Sequence, residues 1–135
     1  MVLIRQRITL VQTRKPQKIT VNDELRWFGE SLGLFSERDR DKSCYRLFLE
    51  LIKAAKTQKL TSSDELAELL GLSRGTVVHH LIKLRRAGLV LIEGKRYVLR
   101  ADNLEVLVDD IRRDVERTCE EMKHAAKEID EMLGL

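Results

Sequence analysis

Gly75, Thr76, His79, Lys83 and Arg86 recur at intervals of one to four residues, a spacing that brings their side chains to one side of an α-helix. Their chemistry suits a polyanion. Lys and Arg neutralise phosphates or reach a guanine edge, Thr and His hydrogen-bond base edges, and a glycine lets a helix approach closely. Val77, Leu81 and Leu84 fall on the opposite side and are expected to face a core. Val78 and Ile82 flank the polar side, within reach of thymine methyl groups. The tandem His79-His80 is not read as a ligand pair, because adjacent helix residues point about 100° apart. His79 is expected to face outward and His80 to be partly packed.

The residues around this helix are those needed to hold it out. Ser62 followed by Glu65 has the form of a capping box, opening a short helix to Gly71 with Leu66, Leu69 and Leu70 on its inner face. In Gly71-Leu72-Ser73 the glycine can turn left-handed, the leucine tucks inward and the serine caps the next helix, over residues 74–87. Two short helices about such a corner make a helix-turn-helix, whose second helix enters the major groove of DNA. The amides and dipole at its start make Ser73, Arg74 and Thr76 expected phosphate contacts. Gly88 ends the helix, and residues 89–92 and 96–99 read as two strands about Glu93-Gly94-Lys95. That hairpin is a wing, with Lys95 and Arg96 set to follow the backbone or enter the minor groove.

Leu60-Thr61-Ser62 through Leu89-Val90, with Glu65-Leu66-Ala67 and Gly71-Leu72-Ser73-Arg74-Gly75-Thr76-Val77 at its heart, resembles the winged helix-turn-helix of ArsR-like prokaryotic, especially archaeal, transcription regulators. The resemblance covers roughly residues 40–100. It implies a DNA-binding regulator and is silent on the operator. Many members of that group sense metals, but the Cys-Val-Cys type of pair is absent here. The terminal helix has Asp114, Glu116, His124 and Lys127 where paired ligands would be needed. No metal and no cofactor is expected.

Upstream, Cys44, Leu47, Phe48, Leu51, Ile52 and Ala55 trace the stripe of a first long helix. Residues 2–12 and 18–21 alternate and are β-branched about Thr13-Arg14-Lys15-Pro16-Gln17, which reads as a β-hairpin. Its Ile4, Ile8 and Leu10 suit a dimer or domain contact, and Arg14, Lys15 and Lys18 are either solvated or phosphate contacts. A short helix capped by Asn22 and ended by Gly33 follows, with Trp27 and Phe28 as anchors to the winged domain.

From Leu104 a heptad places Val108, Val115, Met122 and Ile129 at one seam position and Leu104, Ile111, Thr118, Ala125 and Met132 at the other. Leu104, Val108, Ile111, Val115, Met122 and Ile129 are the expected dimerisation residues, with packing on the chain's own domain as the alternative. Residues 101–135 hold five Lys/Arg against eleven Asp/Glu, a net −6, which leaves +9 on the first 100. The acidic tail is thus suited to lie away from a polyanion that the rest approaches.

The fold expected is mainly α with a small β wing: residues 1–35 an N-terminal extension, 36–100 a winged helix-turn-helix, 101–135 a dimerisation helix. With 135 residues, 35% of them charged, and two isolated cysteines, Cys44 and Cys119, the chain reads as a soluble cytoplasmic protein with reduced thiols. It shows no secretory leader and no bilayer-length apolar run. No phosphate loop, nucleophile–base set or metal cluster argues for an enzyme. The expected partners are double-stranded DNA and a second copy of the chain. The alternative is a non-catalytic winged-helix module for protein interaction or general nucleic-acid binding; a pure protein-binding module would not require a basic helix face.

Overall fold

A computed structural model describes residues 3–17 and 20–135. After an extended N-terminal segment come α1 (Val21–Ser31), α2 (Ser43–Lys56), β1 (Thr61–Ser62), α3 (Ser63–Leu70), α4 (Arg74–Arg86), β2 (Val90–Glu93), β3 (Arg96–Leu99) and α5 (Leu104–Leu133). The strands form one antiparallel sheet in the order β1-β3-β2, with Thr61 opposite Tyr97 and Val90 opposite Leu99. This is a winged helix-turn-helix with a long terminal helix. β1 is a strand the sequence did not announce: two residues serving also as the entry to α3 offer no period to read.

One core draws on every segment. Leu47, Phe48 and Leu51 of α2 meet Leu66 of α3, Val77, Leu81 and Leu84 of α4, and Leu107 and Ile111 of α5. Leu32 and Leu34, after α1, close its edge. Burying a side chain of this size stabilises the fold by about 1.5–3 kcal/mol. Leu69, expected inside, is instead 64% exposed, because α3 is short and docks through Leu66 and Leu70.

The expected hairpin at the N-terminus does not form among the described residues. Residues 3–17 run extended without pairing as a strand, and Lys18 and Ile19 of the second proposed strand lie outside the described residues. Thr20 and Val21 belong to the helix instead. Thr20 Oγ1 accepts from the Asp23 amide at 3.1 Å and the Asp23 carboxylate accepts from the Thr20 amide, a reciprocal cap that displaces the one expected at Asn22. The extended segment straps the helices together: the Arg7 amide donates to Arg86 O (2.8 Å), Val11 N to Ser31 O (2.7 Å) and Trp27 Nε1 to Thr13 O (3.3 Å). Ile8 packs on the core, whereas Ile4 and Leu10 are exposed. Phe28 stacks on Phe48 with centroids 6.5 Å apart, as an anchor of the extension should.

α5 divides into two halves. Asn103 caps it, accepting from Val106 N at 2.8 Å, and Leu107, Ile111 and Asp114 are buried against the domain. Arg100 donates to both oxygens of Asp114, and Gln6 Nε2 donates to the same carboxylate at 2.8 Å, so strap, wing and helix meet at one charge. From residue 116 to 135 every residue is exposed. The expected seam is therefore split. Ile111 belongs to the chain's own core, with Leu104 and Val115 packed against it, while Val108, Met122 and Ile129 stay exposed. The helix docks through Leu107, one position off that seam, because that rotation also buries Ile111 and brings Asp114 to Arg100.

Candidate nucleic-acid interface

The corner that sets α4 is built by three residues. Gly71 adopts φ 64° and ψ 35°, a left-handed geometry that costs a residue with a Cβ about 1–2 kcal/mol. The Leu72 amide then closes on Ala67 O at 3.0 Å and its half-buried side chain packs on the core. Ser73 Oγ accepts from the Thr76 amide at 3.1 Å and donates to Thr76 Oγ1 at 2.8 Å, ordering the first turn of α4. The capping box on α3 is half made. Ser62 Oγ accepts from Glu65 N, but the Glu65 carboxylate turns to Arg96, a charged donor at 2.8 Å that outcompetes a backbone amide. The Arg96 hydrogen bond holds the Glu65 carboxyl below its usual range.

α4 buries Val77, His80, Leu81 and Leu84 and turns Gly75, His79, Lys83 and Arg86 outward. Thr76 is half-buried by its bond to Ser73. A Cβ built on Gly75 would meet no atom within 4 Å, so among the described residues nothing covers the start of this face. Arg74 reaches Asp64 at 3.5 Å across the surface. Lys83 Nζ lies 3.4 Å from Gly33 O, a loose tether to the end of α1. Lys95 is exposed at the tip of the wing beside Gly94, whose φ is 63°. Arg96, itself exposed, is engaged at the surface by Glu65 and by Leu60 O at 3.2 Å, so it braces the wing against α3.

Behind the face, His80 joins α4 to the start of α2. Its Nε2 lies 2.7 Å from Ser43 Oγ, which is 2.6 Å from Asp39 Oδ1. The serine has one proton to give, so when it donates to the Asp39 carboxylate a neutral His80 donates from Nε2. Burial pushes the His80 pKa down, opposed by the Asp39 charge and reinforced by His79 and Lys83. Burial pushes Asp39 up, but the Ser43 hydroxyl and the amides of Cys44 and Ser43 outweigh it and hold the carboxyl low. Asp39 thus performs the capping of α2 that Lys42, left-handed at φ 55°, does not. The Cys44 thiol beside it is buried and pushed up to about 11, which leaves it protonated and inert.

The open face of α4 is wider than the helix. A groove bounded by Arg38, Arg40 and Asp41 of the α1–α2 loop runs along Gly75, Thr76 and His79. A second runs from His79 and Lys83 past Arg86 to Arg7 and Thr9 of the strap. Sequence reasoning passed over Arg7. Its signal was the alternation Arg5, Gln6, Arg7, Ile8, in which the inward positions are Gln6 and Ile8.

The geometry defines a winged helix-turn-helix protein that holds a basic helix face to solvent. Residues 49–91, which span the end of α2, the helix-turn-helix and the start of the wing, match the family described as bacterial regulatory protein, arsR family. No curated protein matches the chain. Among solved structures, the ST1889 protein of the thermoacidophilic archaeon Sulfolobus tokodaii is similar, with 24% identity over 78% of this chain and 93% of that one and a TM-score of 0.46. Among the described residues no helix is long and apolar enough to cross a membrane.

Proposed function

We propose that this protein is a transcription regulator that binds double-stranded DNA with α4 in the major groove and the wing, residues 89–99, along the backbone or minor groove. His79, Lys83 and Arg86 read base edges or neutralise phosphates, and Gly75 and Thr76 admit the helix start closely. Ser73 and Arg74 take a phosphate at the helix N-terminus, and Lys95 another from the wing. Arg96 positions the wing. The observation that carries this reading is the outward stripe Gly75, His79, Lys83, Arg86, exposed among the described residues, on a helix fixed from behind by four buried side chains. The match of residues 49–91 to a regulatory family supports it. The protein works as a homodimer in the cytoplasm without catalysis, pairing through the free part of α5 at Met122 and Ile129, with Val108 at its base. Two-fold pairing sets two recognition helices about one DNA turn, ~34 Å, apart.

The test is fluorescence anisotropy of the full chain on genomic fragments selected by binding, over a salt series. Tight binding to a shared sequence, weakening steeply with salt through counterion release, is the expected result. A salt-insensitive response on every duplex would turn the reading toward a protein-interaction module.

A further inference from the structure

The extended N-terminus runs beside the recognition helix and presents arginines there. Gln6 and Ile8 face inward: Gln6 donates to Ala87 O at 3.3 Å and to Asp114, and Ile8 packs on the core. The two-residue period of an extended chain then turns Arg5 and Arg7 outward, and both are exposed. The backbone bond from Arg7 N to Arg86 O fixes this register on the last turn of α4. Arg5 lines a 660 Å³ groove with Arg85 and Arg86 that reaches β2, and Arg7 lines the adjoining groove with Lys83 and His79.

Among the described residues, none of Arg5, Arg7, Arg85 and Arg86 makes an ion pair, although carboxylates elsewhere take up Arg26, Arg74, Arg96, Arg100 and Arg113. Glu93 stands at the wing end of the groove and pairs with none of them. Cations in the last turn of a helix also suit its negative pole, which accounts for Lys83, Arg85 and Arg86. That does not account for a second segment bringing two more arginines to the same place. Like charges gathered without counter-charge repel one another and weaken the fold, so the arrangement is explained by an anion it awaits.

We propose that the N-terminal strap is a DNA-contacting arm, in which Arg5 and Arg7 join Arg85 and Arg86 to take backbone phosphates of the duplex whose groove α4 enters. This rests on the DNA-binding reading and extends it: the tract continues the outward face of α4 past its C-terminal end, where the phosphate rail leaves the groove. Such contacts carry affinity and not sequence information.

The experiment is anisotropy of the full chain on a random-sequence duplex across a potassium chloride series, for wild type, R5A/R7A, R5K/R7K and H79A, with thermal melts of each. Loss of two phosphate contacts should make the salt slope of R5A/R7A shallower by about 1.8 and lower its affinity about tenfold. R5K/R7K should keep the wild-type slope, since a point charge suffices at a phosphate. R5A/R7A should melt no lower than wild type, because a repulsion is relieved. A wild-type slope and affinity in R5A/R7A, with H79A weakened, overturns the arm and leaves α4 as the DNA-binding element. Absence of salt-dependent duplex binding in the wild type overturns both.

Discussion

The Ser43 hydroxyl lies 2.7 Å from His80 Nε2, so the first turn of α2 and the buried side of the recognition helix share one hydrogen bond. The bond also carries the Asp39 carboxylate, 2.6 Å further on. A polar chain in so packed a place stabilises only while each member is satisfied.

His80 therefore makes stability fall in mild acid. Its folded pKa is lowered, so the unfolded chain binds its proton more readily; the contribution is full above about 6.5 and drains away as pH falls from there through the lowered folded value. Asp39, Asp114 and Glu65, also lowered, act the same way only nearer their ordinary range of about 4. Urea denaturation should show a loss between pH 7.5 and 5.5 that H80Q, which cannot titrate, flattens. An equal loss in both proteins would place the titration elsewhere.

Removing the Asp114 carboxylate leaves Arg100 and Gln6 without their common acceptor. D114A should lower stability by about 2–3 kcal/mol, as expected for hydrogen bonds to a charged group at a largely buried site. Chemical denaturation at neutral pH measures it, and a change within 0.5 kcal/mol (about the scatter of surface substitutions) would show that the junction is not a stabilising one.

On the outward face, H79A and R86A should each weaken specific DNA binding by about 1–3 kcal/mol where they meet a base edge, with melting unchanged because both side chains are exposed. K83A should weaken binding too, after freeing the end of α1 from its loose tether. Wild-type gel-shift affinity in all three would remove α4 from the interface.

G75A separates folding from function. The added methyl meets nothing within 4 Å among the described residues, and alanine favours helix over glycine by about 1 kcal/mol. The variant should melt higher than wild type yet bind operator DNA less tightly, since in the proposed complex the methyl would stand where the helix closes on the duplex. Higher melting with undiminished binding would mean that the helix start stays clear of the groove.

M122E/I129E should convert a dimer to a monomer in analytical ultracentrifugation while leaving thermal stability of the domain intact, since both side chains are 50% exposed or more in the single chain. A chain cut at Ala101, by contrast, loses Leu107 and Ile111 from the core and should unfold, so it cannot report on pairing. Persistence of a dimer in M122E/I129E would move the partner surface elsewhere.

The helix-turn-helix was legible because local chemistry dictates it: Ser62, Gly71 and Ser73 sit where caps and a left-handed residue are needed, and Val77, Leu81 and Leu84 keep helical period. His79 and His80 separated as the wheel requires. The N-terminus was misread because alternation records an extended chain with one inward side, and says nothing of whether α1 and α4 or a second strand receives it. In α5 the heptad cannot tell which of its positions meet the chain's own core: Leu104, Ile111 and Val115 do, together with Leu107 beside the seam, and the partner of Asp114 is Arg100, whose approach is tertiary. The ion pair of Arg96 with Glu65, 31 residues upstream, is likewise a tertiary contact that the local sequence does not show.

From residue 116 onward every residue of the terminal helix is exposed. Each of its turns must be ordered at an entropic cost that a solitary molecule recovers from no packing, and helices of such length are marginal alone in water. If α5 pairs as proposed, the winding of those turns depends on protein concentration. In the proposed dimer the tail would fray at high dilution while the winged domain stays folded, so the spacing of the two recognition helices would depend on protein concentration.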